Sequence, residues 1–97
     1  MYQPNFYNEQ IDLLLEGLLK LKTKEEFMRF LEDVGTIKEI SDMGQRFTVA
    51  KLLHEKIPYH QIVEKTHAST ATISRVNKSL VYGAEGYKTV LARMNQE

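Results

Sequence analysis

The chain has 97 residues, 42% of them apolar, with 13 basic and 13 acidic side chains, so it is sized for one small domain, residues 1–97, and its composition is not that of a strongly basic nucleic-acid binder. It has no cysteine, which excludes a disulfide scaffold and thiolate metal sites and makes the reducing cytoplasm the default compartment. The early apolar run Ile11 to Leu21 is broken by Asp12, Glu16 and Lys20, which excludes a membrane span and a signal peptide.

Met1 to Tyr7 holds Tyr2, Pro4, Phe6 and Tyr7 without a helical period and reads either as a loose arm or as a patch that packs on a partner subunit. From Asn8 to Lys22 the pattern turns helical. Ile11, Leu13, Leu14, Leu15, Leu18, Leu19 and Leu21 make an apolar face wider than one stripe, which asks for burial on more than one side. A second subunit would supply the second side; a core helix of a monomer is the plainer alternative.

Thr23 with Glu26 forms a capping-box pattern that starts a second helix through Phe27, Phe30, Leu31 and Val34, with Gly35 as its stop. Thr36 with Glu39 repeats the pattern and opens the longest helix, about Ile37 to Glu55. Gly44 in its middle costs about 1 kcal/mol relative to Ala, which a close helix crossing would explain.

Residues 58–80 then read as a helix-turn-helix, because Ile62, Thr66, Ala68, Ile73 and Val76 fall where two short crossing helices must touch. Pro58 suits the first turn of the leading helix, and Ser69 suits the N-cap of the second. The turn position that usually carries glycine is His67, a residue that tolerates positive φ better than most. An ordinary helical hairpin with a polar surface is the competing reading of the same spacing. Tyr82, Gly83 and Gly86 punctuate the exit, and Tyr87, Val90, Leu91 and Met94 form a last amphipathic helix. The fold class is all-α, with six helices.

The zero net charge is unevenly spread. Met1 to Gly35 carries four basic and seven acidic residues, whereas Thr36 to Leu80 carries seven basic and four acidic ones, so positive charge gathers around the helix-turn-helix. The excess is small, so phosphate contacts per subunit are few and binding should need two subunits and weaken with salt.

Gly44-Gln45-Arg46 and Ala71-Thr72-Ile73-Ser74-Arg75, followed by Asn77, Ser79 and Leu80, resemble the tryptophan repressor (TrpR) family, and the whole chain looks like its YerC/YecD group of related proteins. The resemblance implies a TrpR-like fold, an intertwined homodimer with projecting reading heads, and double-stranded DNA as partner. It also implies a small-molecule site at Thr36, Arg46, Arg75 and Ser79, where arginine forks suit a carboxylate and hence a small anionic effector. The family has a glycine directly after the second arginine, making room for an indole. Here that residue is Val76, which argues against tryptophan as the ligand. Arg46 and Arg75 therefore stay open to three uses: holding an anionic effector, contacting DNA phosphates, or pairing with Glu39, Asp42 or another surface acid.

With the second helix in a major groove, Ser69, Thr70, Ala71 and Thr72 meet base edges first and Ser74 follows one turn on, while His60, Lys65 and Lys78 are candidate phosphate contacts. None of these offers a bidentate arginine or asparagine to a base, so discrimination per base should be shallow and lean on water or DNA shape. The expected function is a sequence-specific transcriptional regulator of the repressor type. The rival is a protein-interaction module of the same fold that has lost DNA binding. An enzyme is not expected, since His54, His60 and His67 are accompanied by no carboxylate pair or phosphate-binding loop.

Overall fold

Helix α1, Glu9–Leu18, begins at Asn8, whose side chain accepts the amide of Ile11 at 2.9 Å, and Glu9 and Asp12 place negative charge on its first turn. The computed structural model describes residues 2–96. Ahead of the cap, the Tyr7 hydroxyl donates to Asp12 Oδ1 at 2.8 Å, so the arm is tied to α1 at Tyr7 while Tyr2 and Phe6 stand exposed. The helix ends at Leu18, four residues before the expected Lys22, in a tightened turn where Lys20 N–H reaches Gly17 O and Leu21 N–H reaches Leu18 O. The next helix claims the residues that follow. Thr23 caps α2, Lys24–Val34, by accepting the amide of Glu26 at 3.1 Å. The Glu26 carboxylate returns to the amide of Lys22 at 2.7 Å, one residue upstream of the usual capping box. Gly35 stops α2 as expected, though in extended backbone rather than a left-handed turn.

The described chain falls into two compact units, Met1–Thr36 and Ile37–Glu97. The first, which holds α1 and α2, has no buried helical residue: Leu13 is 74% and Leu19 79% exposed.

The second unit holds the core. Helix α3, Ile37–His54, supplies Val49 and Ala50; α4, Tyr59–Thr66, supplies Ile62; α5, Thr70–Tyr82, supplies Ile73 and Val76; Ala68 comes from the turn between α4 and α5. Leu52, Leu53, Ile57, Val63 and Tyr87 pack around this cluster, and Tyr87 and the buried Leu91 belong to α6, Gly86–Met94. Gly44 does not mark a close crossing, because a Cβ placed there would meet nothing within 4 Å.

Besides the turn between α4 and α5, two bends use non-glycine residues in the left-handed region. After α3, Lys56 has φ 65°, with Lys56 N–H bonded to Leu53 O and Ile57 N–H to Leu52 O. That is the Schellman pattern, closed by the apolar neighbours Leu52 and Ile57. Before α6, Glu85 has φ 70°. Gly83, between α5 and α6, is required for space, since a Cβ there would lie 2.2 Å from Ser79 O.

Candidate nucleic-acid interface

The helix-turn-helix is built as the spacing predicts. Ile62, Ala68, Ile73 and Val76 are buried, and Thr66 is half-buried. Pro58 sits one position earlier than expected, as N-cap of α4, where its carbonyl accepts the amides of Gln61 and Ile62. His67 takes the left-handed conformation expected of it, φ 61° and ψ 15°, and donates its amide to Val63 O at 2.8 Å. Thr66 wires the turn: its hydroxyl donates to Ile62 O at 2.8 Å and accepts the amide of Ala68 at 3.1 Å. Its carbonyl, one of those a helix end leaves unsatisfied, accepts from Gln45 Nε2 of α3 at 3.1 Å. Sequence reasoning missed this bond, because it joins residues 21 apart and leaves no periodic trace.

Ser69 caps α5 as expected, accepting the amide of Thr72 at 3.1 Å while its hydroxyl donates to Thr72 Oγ1 at 3.1 Å. The two hydroxyls are thus joined within the cap, and Thr72 is half-buried. Thr70, Ala71, Ser74, Arg75 and Lys78 are exposed. At 3.6 residues per turn Ala71, Ser74, Arg75 and Lys78 fall on the side of α5 away from Ile73, Val76 and Leu80, which are buried, and Thr70 stands exposed at the edge of that face as the first residue of the helix. That outward face carries no acidic residue from Ala68 to Leu80, and the start of α5 adds first-turn amides that attract an anion. On α4, His60 and Lys65 are exposed, and Lys65 borders a polar groove of about 280 Å³ with Ser41, Gly44, Gln45, Thr48 and Thr66.

The residues set aside for an effector are divided between the two units. Thr36 closes the first unit, and Arg46 and Arg75 lie exposed on α3 and α5. Asp42 is paired with Lys38 at 2.8 Å; that hydrogen bond holds its carboxyl below the usual carboxylate range against the opposing effect of desolvation, and the charges of Lys38 and then Arg46 add to the lowering. Ser79 borders an apolar cleft of about 540 Å³ with Phe47, Gly83, Ala84, Gly86, Tyr87 and Val90. Val76 is 2% exposed and belongs to the core. Among the described residues no group of three histidine, cysteine or acidic side chains could hold a metal ion, and no helix is long and apolar enough to cross a membrane.

Six helices carrying a capped helix-turn-helix define the class: an all-α protein with an outward-facing recognition helix. The particular family follows from comparison. Residues 9–95 match the family model described as Trp repressor protein, and the chain belongs to that family. It is 44% identical over 88 residues to the uncharacterized protein YerC of Bacillus subtilis (strain 168), covering 91% of this chain and 85% of that one. Its fold is similar to the crystal structure of a TrpR-like protein from Eubacterium eligens ATCC 27750, with a TM-score of 0.88, 50% identity and 91% of each chain covered. A candidate Trp repressor from Staphylococcus aureus matches with a TM-score of 0.88 at 40% identity, over 94% of this chain and 91% of that one.

Proposed function

We propose that the chain is a sequence-specific DNA-binding transcriptional regulator of the repressor type that acts as a homodimer through α4 and α5. The observation that carries this reading is the outward face of α5, where Ala71, Ser74 and Lys78 stand exposed, flanked by the exposed Thr70 at the helix start, on a helix whose opposite side is locked into the core. Membership of the Trp repressor family supports the same reading. Thr70 and Ala71 meet base edges through a hydroxyl and methyl groups, Ser74 follows one turn later, and the Ser69–Thr72 pair fixes the start of the helix against the backbone. His60, Lys65 and Lys78 contact phosphates. The exposed positions of Arg46 and Arg75 suit them to phosphate contact. Val76, fixed in the core, supports a regulator that works without tryptophan.

Homodimerisation is supported by the first unit, whose helices bury no residue although α1 is rich in leucine. A helical pair in that state does not offset its own ordering entropy and needs apolar cover.

The test is selection of bound fragments from random or genomic DNA at near-physiological salt, with sedimentation to give the assembly state. A two-fold symmetric site with half-sites about one helical turn apart is expected. Thr70→Glu should abolish binding and leave the dimer intact, because the added carboxylate faces phosphate rather than the core. Loss of the dimer would show that the reading head is misplaced, and no enrichment by the wild type would favour the protein-interaction alternative.

A further inference from the structure

The structure assigns a positioning role to Gln45: its side-chain amide, held on the carbonyl of Thr66, sets the orientation of the recognition helix for DNA. This rests on the DNA-binding reading and adds to it a residue that touches no base.

Apolar packing of Val49 and Ala50 against Ile62, Ala68 and Ile73 fixes how close α4 and α5 lie to α3, but dispersion and burial are weakly directional. A hydrogen bond is directional. The bond from Gln45 Nε2 to Thr66 O is 3.1 Å long, part-buried, and joins residues 21 apart, whereas the helix caps and side-chain pairs of the same unit join near neighbours. It lands where leverage is greatest. Thr66 is the last residue of α4, and its hydroxyl holds both Ile62 O and the amide of Ala68. Ala68 leads directly into the Ser69 cap and the base-facing Thr70. Hydrogen bonds therefore run from the scaffold helix through Thr66 to Ala68, and the peptide link from Ala68 to Ser69 carries the constraint to the start of α5. The left-handed His67 within that turn leaves little room for a compensating adjustment, since its backbone is already in a sparsely populated region. Gln45 crosses a groove that is open beside Gly44, where a Cβ would meet nothing within 4 Å, so the loss of the bond would not be made good by collapse of neighbouring side chains.

The test uses the full chain and the DNA fragment it selects. Gln45→Met keeps the side-chain length and removes the donor. We expect binding about tenfold weaker, as fits one directional hydrogen bond, with the salt dependence of affinity unchanged and faster hydrogen exchange at the amides of His67 and Ala68. Affinity within about twofold of wild type overturns the inference. So does a salt slope reduced by about one, which would mean that Gln45 contacts a phosphate itself. A loss of binding matched by an equal loss of folded protein, read by circular dichroism at the assay temperature, assigns a purely structural role and also overturns it. Should Gln45→Met not fold, Gln45→Glu reads the same bond. An ionised carboxylate cannot donate to Thr66 O, but the protonated acid can, so its affinity relative to wild type should recover as pH falls from about 7.5 to about 4.5. A ratio flat over that range overturns the inference. Failure of the wild type to bind any DNA removes the DNA-binding reading and this inference together; a variant that binds as well as a wild type that does bind removes this inference alone.

Discussion

Replacing Val76 tests both the core and the effector argument. Val76 is 2% exposed and packs among Val49, Ala50, Ile62, Ala68 and Ile73. Val76→Gly removes three buried carbons, about 2.4 kcal/mol at about 0.8 kcal/mol per carbon. Glycine inside a helix adds about 1 kcal/mol, and incomplete collapse of the space adds more, so the total is roughly 3–4 kcal/mol. Against the stability of ordinary domains, about 5–15 kcal/mol, that leaves a folded but weakened protein. Urea denaturation at one fixed protomer concentration measures it, since association contributes to apparent stability. A loss under about 1 kcal/mol would refute the packing assigned to Val76. The same variant restores the family's glycine beside Arg75. Tryptophan should then raise the melting temperature of Val76→Gly and leave that of the wild type unchanged. A wild type stabilised by tryptophan would refute the claim that Val76 excludes the indole.

Gly83→Ala places a Cβ 2.2 Å from Ser79 O, the atom that accepts the Gly83 amide at 2.9 Å, so the end of α5 must open; a loss of about 2 kcal/mol or more is expected in thermal unfolding. Lys56→Gly relieves a side chain at φ 65° and should stabilise the chain by about 0.5–1 kcal/mol, the gain in the Schellman turn exceeding the entropy of an added glycine; an unchanged melting temperature would count against it. Asp42 has its carboxyl pKa lowered in the folded chain, first by the Lys38 hydrogen bond. Its small contribution to stability is therefore present above the usual carboxylate range and lost as pH falls through the lowered folded value. Carboxyl titration by NMR should show the Asp42 midpoint rise toward the ordinary value in Lys38→Met.

What could be read from the residues was mostly local. Ser69 and Thr23 are hydroxyls one turn ahead of the amide they hold, and a capping pattern of that kind is visible in three or four consecutive residues. His67 could be placed in a left-handed turn because the buried positions on either side, Ile62 and Ile73, force the chain to reverse there. Lys56 and Glu85 adopt the same conformation without any such signal, since lysine and glutamate are common in helices and neither bend is marked by glycine at the left-handed position. The end of α1 was read four residues late because its apolar period runs on through Leu21, while the capping of α2 takes the chain away from it. Gly44 was read as a crossing point because glycine inside a helix usually has a steric reason, and here the space beside it is open. Thr72 was placed among base-facing residues by its position near the helix start; only the geometry of the cap reveals that its hydroxyl also accepts from Ser69. The bond from Gln45 was beyond reach for a different reason. It depends on where α3 and the turn lie relative to one another, which is a property of the packed core rather than of either segment.

The two units divide the requirements of such a regulator. The first is acidic and leaves its leucines uncovered, so it is suited to apolar association and poorly suited to phosphate. The second has its own core and carries the excess of basic residues, but only a few of them, so on the proposed function one reading head alone would hold DNA weakly. In the proposed homodimer a second head would change this without any new contact by the first. Once one head is bound the other is held near its half-site at high effective concentration, and the two weak affinities combine toward a product rather than a sum. Rigidity is what makes that gain depend on half-site spacing. A head whose α5 could swing on α3 would tolerate many registers and lose selectivity, whereas one packed through Ile62, Ala68 and Ile73 and tied at the turn by Gln45 presents α5 in one orientation. On this argument the specificity that Thr70, Ala71 and Ser74 cannot supply base by base comes from the scaffold, and substitutions on α3 should relax the spacing preference before they abolish binding.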